Sequence, residues 1–346
     1  MRKKLLNIFR FLFFLSIGIF FIWIFVRNLT AQERSEIIAS FRRANYFWIA
    51  ISICIGLASH ASRARRWVIL MEPMGYKPKY SNVLMAVFVG YFANLALPRL
   101  GELGRCGVLA RYEKIPFNKS LGTVITERTL DLIVFILLFI LNLVLQIDLI
   151  RQYVNEKIYT PLMHSLGSVE NVGLLKWAIL GAFVLLIVLL IVFRKKFYRF
   201  RFVRKLKDMG KGVWDGIWSI LKLNRPIEFI FHTLFIWVAY FFMSWIVFLS
   251  LPETSGLGLG AGLAVLVFGS IGIILVQGGI GVYPAIVAET LVIYGISSII
   301  GYAMGWLLWA TQTIMLIIAG LSSLILLPVK NKVSYGFRIF NTEESI

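Results

Sequence analysis

The chain has 346 residues, of which 59% are hydrophobic and 15% are charged. Soluble domains carry about 25% charged residues, so this composition excludes an ordinary soluble enzyme and indicates a polytopic membrane protein. The net charge of +19 would suit nucleic-acid binding. Excess Lys and Arg in a polytopic protein instead orient its spans, and we expect no nucleic-acid partner. Cys54 and Cys106 are too few for a metal cluster or a disulfide framework, and no metal or other cofactor is expected.

Six apolar segments are long enough to cross the ~30 Å hydrocarbon core of a bilayer. The first follows the charged start MRKK, and no small-residue cleavage site comes after it. It therefore indicates a retained span rather than a signal peptide. Residues 32–44 predict a short interfacial helix on the outer side. The six predicted spans are residues 5–26, 46–70, 120–147, 174–193, 227–250 and 301–327.

Two further apolar regions, residues 80–112 and 260–297, are interrupted by Gly and Pro in mid-run. As one straight helix, the uncharged stretch from Thr254 to Ala288 would be roughly 50 Å long, too long for a single span. The sequence QGGIGVYP at 277–284 supplies a break, and we interpret each region as a re-entrant hairpin of two half-helices. The predicted fold class is an all-α polytopic membrane protein with about six full transmembrane helices and two broken re-entrant hairpins, about eight membrane segments.

Positive charge sets the predicted orientation. The segment 194–225 is rich in Lys and Arg and should lie along the inner leaflet as a basic amphipathic linker. If the N-terminus is inside, the segment 194–225 lies on the inner side only if residues 80–112 enter and leave the membrane on the same side. The alternative, an outside N-terminus with 80–98 as a full span, would expose Arg65, Arg66 and two lysines to the exterior. We expect a plasma (inner) membrane protein with both termini cytoplasmic.

This topology contains a symmetry. Residues 46–147 and 227–327 form two units of span, broken hairpin and span that are inverted relative to each other. Gly/Pro-interrupted segments at matching positions of two halves point to the substrate site of a transporter. Two unrelated kinked helices stay the alternative, because the halves share no visible sequence identity. The predicted organisation is one domain over 1–330 and a short cytoplasmic tail over 331–346.

Charged residues within and beside these apolar runs mark the candidate site. A charge at bilayer depth costs from about 3 to about 15 kcal/mol, so such groups pair with one another or with a ligand. The arginine fork suits carboxylate or phosphate. Two interpretations of these charged residues stay open. They form a purely structural ion network, or the network leaves one arginine to bind a lipid phosphate. The first group of candidate substrate-binding residues is Asn94, Pro98, Arg99, Gly101, Glu102, Arg105, Glu127, Arg128 and Asp131.

The second broken region adds glycine and one acid. Gly278, Gly279 and Gly281 expose backbone amides, which bind anions at helix N-termini, although glycine also permits close helix packing. Glu289 is the lone charged residue between Thr254 and Val329, and it could be a proton site or a partner for Arg99.

One histidine could belong to the same cavity. His60 stands beside Arg63 and Arg66 on the second predicted span and could extend the cavity. A lone histidine is, however, more often a satisfied core residue.

Two strings carry a resemblance to a known family. N94-L-A-L-P98-R99-L-G101-E102-L-G-R105 and E127-R128-T-L-D131 resemble the lysylphosphatidylglycerol synthase transmembrane-region family, also described as flippase-like. The resemblance extends from about residue 10 to 330. It implies a membrane domain of the kind that, in bifunctional synthases, translocates an aminoacylated lipid made by a separate soluble domain, which we do not expect here. Gln277 and Pro284 stand where the family pattern has a proline and a glutamate, so an acid role there would fall to Glu289.

The leading function is a flippase or transporter that moves a phosphate-bearing lipid or lipid-linked saccharide between leaflets. The alternatives are a membrane-embedded transferase acting on a lipid-linked donor, or an accessory membrane partner of such an enzyme. The sequence has no DxD pair, no metal-ligand spacing and no nucleotide-binding loop, so enzyme activity is not expected. The predicted partners are membrane lipids, anionic or phosphate-linked.

Overall fold

The computed structural model describes residues 29–96, 100–155 and 223–331, together with residues 16, 19–20, 22–27 and 160. Its regular elements in these ranges are all helices, which confirms the all-α fold class. The α-helices are α1 Ala31–Arg43, α2 Tyr46–Met71, α3 Tyr80–Ala96, α4 Leu100–Tyr112, α5 Phe117–Leu145, α6 Ile147–Val154, α7 Pro226–Trp245, α8 Leu259–Leu275, α9 Val282–Val292 and α10 Ser298–Lys330. Three short 3-10 helices lie at Glu72–Met74, Ile246–Ser250 and Gln277–Gly279.

Four helical segments are long and apolar enough to cross a membrane. They are Tyr46–Met74, Phe117–Leu145, Pro226–Ser250 and Ser298–Lys330, at the positions predicted for four of the six spans. Their outer faces carry exposed apolar side chains, such as Leu137 (60% exposed) and Ile325 (68%), as lipid-facing helices do. The predicted span 174–193, the linker before residue 223 and the tail after 331 lie outside the described residues. The first predicted span is described only in part.

The described residues divide into two compact units. One unit comprises the chain up to Ile125 and from Leu223 onward, and the other comprises residues 126–222. The first unit contains both broken hairpins and most of the predicted site. The second contains the C-terminal part of α5 and the short α6.

Hydrogen bonds and ion pairs define one end of the first unit, which we name the Glu72 end. The Nε atom of Arg225, just before α7, lies 3.5 Å from the Oε2 atom of Glu72, just after α2. Glu113, just after α4, accepts hydrogen bonds from the backbone N–H of Lys79 and from Asn82 at the start of α3. Asn82 also exchanges two amide hydrogen bonds with Asn331, just after α10. These contacts bring the end of α2, the start of α3, the end of α4, the start of α7 and the end of α10 to the same end of the unit.

The opposite end, which we name the Asn45 end, is held together in the same way. The backbone N–H of Asn45 donates to the carbonyl of Ser250, which joins the start of α2 to the end of α7. Arg43 of α1 forms a 2.6 Å ion pair with Glu253. The helix α1 itself begins with a capping box, in which Thr30 and Glu33 bond reciprocally. The hydrogen bond from the Thr30 backbone, and then that from its side chain, lower the pKa of the Glu33 carboxyl.

The helices α3 and α4 form the first hairpin, with both open ends at the Glu72 end. The half-helix α4 has 13 residues, about 20 Å at 1.5 Å per residue, which is too short to cross a bilayer. Small residues let the two helices approach closely: a side chain at Gly101 would collide with the carbonyl oxygen of Gly90. The predicted break within 80–112 therefore falls between Ala96 and Leu100.

The helices α8 and α9 form the second hairpin, broken at the predicted glycines. Gly278, Gly279 and Gly281 have φ of +66°, +68° and +72°, a backbone conformation that favours glycine. The half-helix α9 packs on α10 at Gly301 and Gly305. A Cβ added to Gly305 would lie only 2.6 Å from the Pro284 Cα. Close glycine contacts of this kind replace the hydrophobic effect as the source of helix packing in lipid.

The helix lengths repeat along the chain. A long helix, a 17-residue helix, a shorter helix and a long helix occur in α2–α5 and again in α7–α10. This order agrees with the predicted pair of units at 46–147 and 227–327. The inverted relation of the units and their entry into a membrane from opposite sides stay predictions.

The two ends of the first unit allow the orientation to be tested. In a background lacking Cys54 and Cys106, we expect Lys77→Cys at the Glu72 end to react with a membrane-impermeant maleimide only after the cells are opened. Ser255→Cys in the loop at the Asn45 end should react from outside. Both positions are exposed, so access to the reagent depends on the side of the membrane. Labelling of Lys77→Cys in intact cells would overturn the orientation with the basic end inside.

Candidate functional site

The tip of the first hairpin is organised by one asparagine. Asn94, near the end of α3, accepts a 2.8 Å hydrogen bond from the backbone N–H of Gly101 through Oδ1. This N–H belongs to the first turn of α4, where no intrahelical partner exists. Asn94 Nδ2 donates to Glu102 Oε1 at 3.4 Å. A side chain from one half-helix thus caps the other half-helix and holds its first acid.

Arg105 lies one helical turn after Glu102, and only 4% of its surface is exposed. Its guanidinium stands 4.5 Å from the centroid of the Trp67 ring on α2. Trp67 is itself fixed by a 2.8 Å hydrogen bond from its Nε1 to Thr123. Stacking on an indole stabilises a guanidinium away from water, because the ring face carries negative charge density. We name Asn94, Gly101, Glu102 and Arg105 the hairpin-tip cluster.

Two more arginines of α2 are buried against aromatic rings. Arg63 lies 5.9 Å from the ring centroids of both Tyr91 and Tyr240, and its Nη2 donates to the Tyr240 hydroxyl at 3.2 Å. Arg66 lies over the Phe229 ring and donates to Thr233. Tyr91 is on α3 and Tyr240 is on α7, so Arg63 connects helices from both halves of the chain.

His60 stands one turn before Arg63 and is enclosed by the same rings. Its imidazole centroid is 4.6 Å from that of Tyr91, and it also meets Phe88 and Tyr240. Only 4% of its surface is exposed, and Nδ1 has no hydrogen-bond partner among the described residues. The structure therefore places His60 in the aromatic interior between α2, α3 and α7.

The glycine turn of the second hairpin meets the tip of the first. Its Gln277–Gly279 segment contacts α3, and a Cβ added to Gly278 would lie 4.0 Å from Leu95 Cδ2. Trp309 of α10 donates from Nε1 to the Gly278 carbonyl at 2.6 Å, which satisfies a backbone group that the break releases. The turn that holds the predicted glycines thus lies against the end of α3, next to Asn94 in the chain.

The remaining predicted residues lie elsewhere or outside the described chain. Glu127 and Asp131 are buried one turn apart on α5, with Arg128 partly exposed beside them, in the second compact unit. Pro98 and Arg99 lie outside the described residues. A single network of Arg99 with these acids stays a prediction.

Glu289 is exposed on α9. It stands about two turns along that helix from Gly281. Its predicted place in the site also stays a prediction.

Sequence reasoning missed the aromatic partners of the buried arginines. Trp67, Tyr91, Phe229 and Tyr240 stand in apolar runs, where an aromatic residue is typical of ordinary core. The only signal for such a contact is an arginine on one helix that lies opposite an aromatic ring on a neighbouring helix. Because Arg63 and Tyr240 are 177 residues apart, this arrangement becomes visible only in the folded chain.

Comparison with known proteins identifies the family. The family model for the lysylphosphatidylglycerol synthase TM region matches residues 8–320, so the chain belongs to this family and the predicted resemblance is confirmed. A UPF0104 membrane protein of Methanocaldococcus jannaschii is 26% identical over 104 residues, or 29% of this chain and 31% of that protein. The chain thus matches less than a third of the length of this curated relative. No solved structure matches.

Two glycines of α4 offer a matched test of the hairpin contact. We expect Gly101→Ala to destabilise the protein, because the added methyl overlaps the Gly90 backbone, and overpacking of this kind costs about 1–3 kcal/mol. Gly107→Ala on the same helix meets nothing within 4 Å and should be neutral or slightly stabilising, since alanine favours helix. Thermal unfolding in detergent compares the two variants. Equal melting temperatures would show that the Gly90–Gly101 approach does not contribute to stability.

Proposed function

We propose that this multi-pass membrane protein is a lipid transporter of the flippase kind, which moves a phosphate-bearing lipid or lipid-linked saccharide between leaflets. The observation that carries the proposal is the meeting of the Gly278 turn of the second hairpin with the end of α3 in the first, beside a polar cluster. Broken helices with polar tips are the usual construction of a transporter's substrate site. Membership in a family named for a lipid synthase's membrane region supports a lipid substrate.

The chemistry of the hairpin-tip cluster suits a lipid headgroup. Non-helical backbone at membrane depth is tolerated where it is covered by protein or lines a polar cavity. Asn94 and Glu102 provide a donor and acceptors at the tip, and the Gly278 turn presents backbone without side-chain obstruction. In the proposed mechanism the headgroup passes between these tips while the acyl chains stay in lipid. Only the polar headgroup then needs a polar path.

Arg99 and Arg105 have different roles in the proposal. Arg105 is packed on Trp67 and keeps positive charge at the first hairpin. Arg99 is assigned from the sequence as the residue that binds the phosphate, because a guanidinium fork matches two phosphate oxygens. The acids Glu127 and Asp131 are proposed to balance this charge when no lipid is bound. Removing one member of such a buried network is more harmful than removing an opposite pair together.

The partners and location follow from the same proposal. The protein would act in the plasma (inner) membrane with both termini in the cytoplasm, and its partners would be anionic or phosphate-linked lipids. Transport would be facilitated or coupled to an ion, since the sequence has no nucleotide-binding loop. Added salt should weaken the contribution of surface charges to lipid binding and leave buried contacts nearly unchanged.

Reconstitution into liposomes tests the function directly. Purified protein is inserted into vesicles with a fluorescent phosphatidylglycerol in the inner leaflet, and its arrival in the outer leaflet is measured by quenching. We expect faster exchange than in empty vesicles, with the lipid mass unchanged in mass spectrometry. A lipid of altered mass would favour the transferase alternative. Exchange equal to that of empty vesicles over a panel of anionic and lipid-linked substrates would contradict the transporter proposal.

Arginine variants locate the site in the same assay. We expect Arg99→Ala to abolish exchange and Arg105→Lys to reduce it at least tenfold, because lysine keeps the charge and loses the planar fork. Arg111→Gln is the matched control, since Arg111 is exposed in the last turn of α4. Each variant is also melted thermally. Wild-type exchange by a stable Arg99→Ala protein would remove Arg99 from the site, and unfolding of that variant alone would favour a structural ion network.

A further inference from the structure

A groove in the first compact unit lies between α2 and α7, beside the start of α3. Its volume is about 420 Å³, within the range of pockets that hold small molecules. Three aromatic residues line it, Tyr80, Phe231 and Phe235, and three polar residues, Ser62, Arg65 and His232. None of these side chains belongs to the hairpin-tip cluster.

The groove is polar towards the Glu72 end and apolar towards the middle of the helices. Arg65 lies one turn nearer to the Glu72 end of α2 than Ala61, which also lines the groove. On α7, Phe235 lies one turn further from that end than Phe231, and both rings are exposed, at 39% and 61%. A ligand that fits this arrangement has a charged head and an apolar tail, with the head towards the Glu72 end.

Arg65 is held in place by one edge of its guanidinium. Its Nε donates to Glu228 Oε1 at 2.7 Å, and Glu228 is in turn fixed by Arg225 at 3.3 Å. Of the described residues, Glu228 is the hydrogen-bond partner of Arg65, and the side chain is 35% exposed. The two terminal nitrogens are therefore the donors that a ligand in the groove would meet, on an arginine whose orientation is already set.

The other polar groups at this end complete the complementarity. His232 Nδ1 and Ser62 Oγ are joined at 2.8 Å, so both are anchored within the wall. Lys77 and Lys79 are exposed in the loop directly before Tyr80. Basic residues at the polar mouth of an aromatic groove favour an anionic head, and Arg65 can bind two phosphate oxygens at once.

We propose that this groove binds an anionic membrane phospholipid, with the phosphate on Arg65 and one acyl chain along Phe231 and Phe235. The groove is separate from the proposed path at the hairpin tips. Lipid binding in the groove can therefore be tested without measuring transport. A phospholipid is the occupant because the charged and the apolar parts of the groove are continuous. A free phosphate would use only Arg65, and a fatty acid would leave the lysine-rich mouth without a phosphodiester.

Photocrosslinking tests the proposal on the full chain. The purified protein in detergent is irradiated with a phosphatidylglycerol that carries a diazirine on one acyl chain, and labelled peptides are mapped by mass spectrometry. We expect labelling within residues 226–239, suppressed by excess unlabelled phosphatidylglycerol and much less by phosphatidylcholine. Inorganic phosphate should not compete at the same concentrations.

Two kinds of variant with matched controls complete the experiment. Arg65→Gln should reduce labelling about tenfold, the size expected for one charge-assisted contact. Arg43→Gln is its control, since Arg43 is similarly exposed and paired with Glu253. Ala61→Trp should block the groove while keeping its polar groups, and Phe242→Ala, on α7 with 40% exposure and outside the groove, should change nothing.

The outcomes separate this proposal from the transport function. Labelling spread evenly over exposed helices, or unchanged in Ala61→Trp, would overturn the groove as a lipid site. Equal loss in Arg65→Gln and Arg43→Gln would overturn the specific phosphate contact. If Arg65→Gln does not fold, Ala61→Trp and the competition between the two phospholipids still decide. Failure of lipid exchange with intact labelling would reject the transporter and keep the binding site.

Discussion

The backbone groups released at the two helix breaks constrain the whole first unit. In a lipid environment an unpaired N–H or carbonyl costs several kcal/mol, so a helix can be interrupted only where the protein itself supplies a partner. At the first hairpin Asn94 accepts from the Gly101 N–H, and at the second Trp309 donates to the Gly278 carbonyl. Each partner comes from a different helix than the group it satisfies. The breaks therefore exist only in the packed structure, and the packing in turn brings the tips together.

The buried arginines obey a related rule. Arg63, Arg66 and Arg105 have 2%, 0% and 4% of their surface exposed, in a part of the chain where charge is costly. Each lies near a ring of another helix: Arg63 near Tyr91 and Tyr240, Arg66 near Phe229, and Arg105 near Trp67. A guanidinium is more weakly hydrated than an ammonium and tolerates such a place better. Arg105, on α4, thereby keeps positive charge within the first hairpin, which the proposed recognition of an anionic headgroup requires.

The sequence predicts the local features of this fold and few of its contacts. Length and apolarity located four spans, and Gly and Pro located both breaks, because each of these signals is contained in a few consecutive residues. The residues of the hairpin-tip cluster were named from the sequence as candidate substrate-binding residues, but the hydrogen bonds of Asn94 to Gly101 and Glu102 were not predicted.

The aromatic rings around Arg63 and Arg105 were not predicted, because stacking joins distant residues and leaves no local pattern. The groove beside Arg65 had no signal for the same reason. It is a space between two helices whose separate sequences look like ordinary spans.

The first hairpin is bound to the second half of the chain at its tip, along α3 where Gly320 of α10 packs on Phe92, and at the Glu72 end, and these contacts differ in kind. At the tip the contact is apolar, Leu95 against the Gly278 turn, and a small displacement costs little beyond lost dispersion. At the Glu72 end, Asn82 and Asn331 exchange two amide hydrogen bonds, and Asn82 is completely buried, so parting them would leave buried donors and acceptors unpaired. Separation of the hairpins at the Leu95–Gly278 contact would therefore cost less free energy than separation of the Asn82–Asn331 pair. The close approach of α3 and α4 at Gly90 and Gly101 in turn keeps the residues of the hairpin-tip cluster beside one another at that contact.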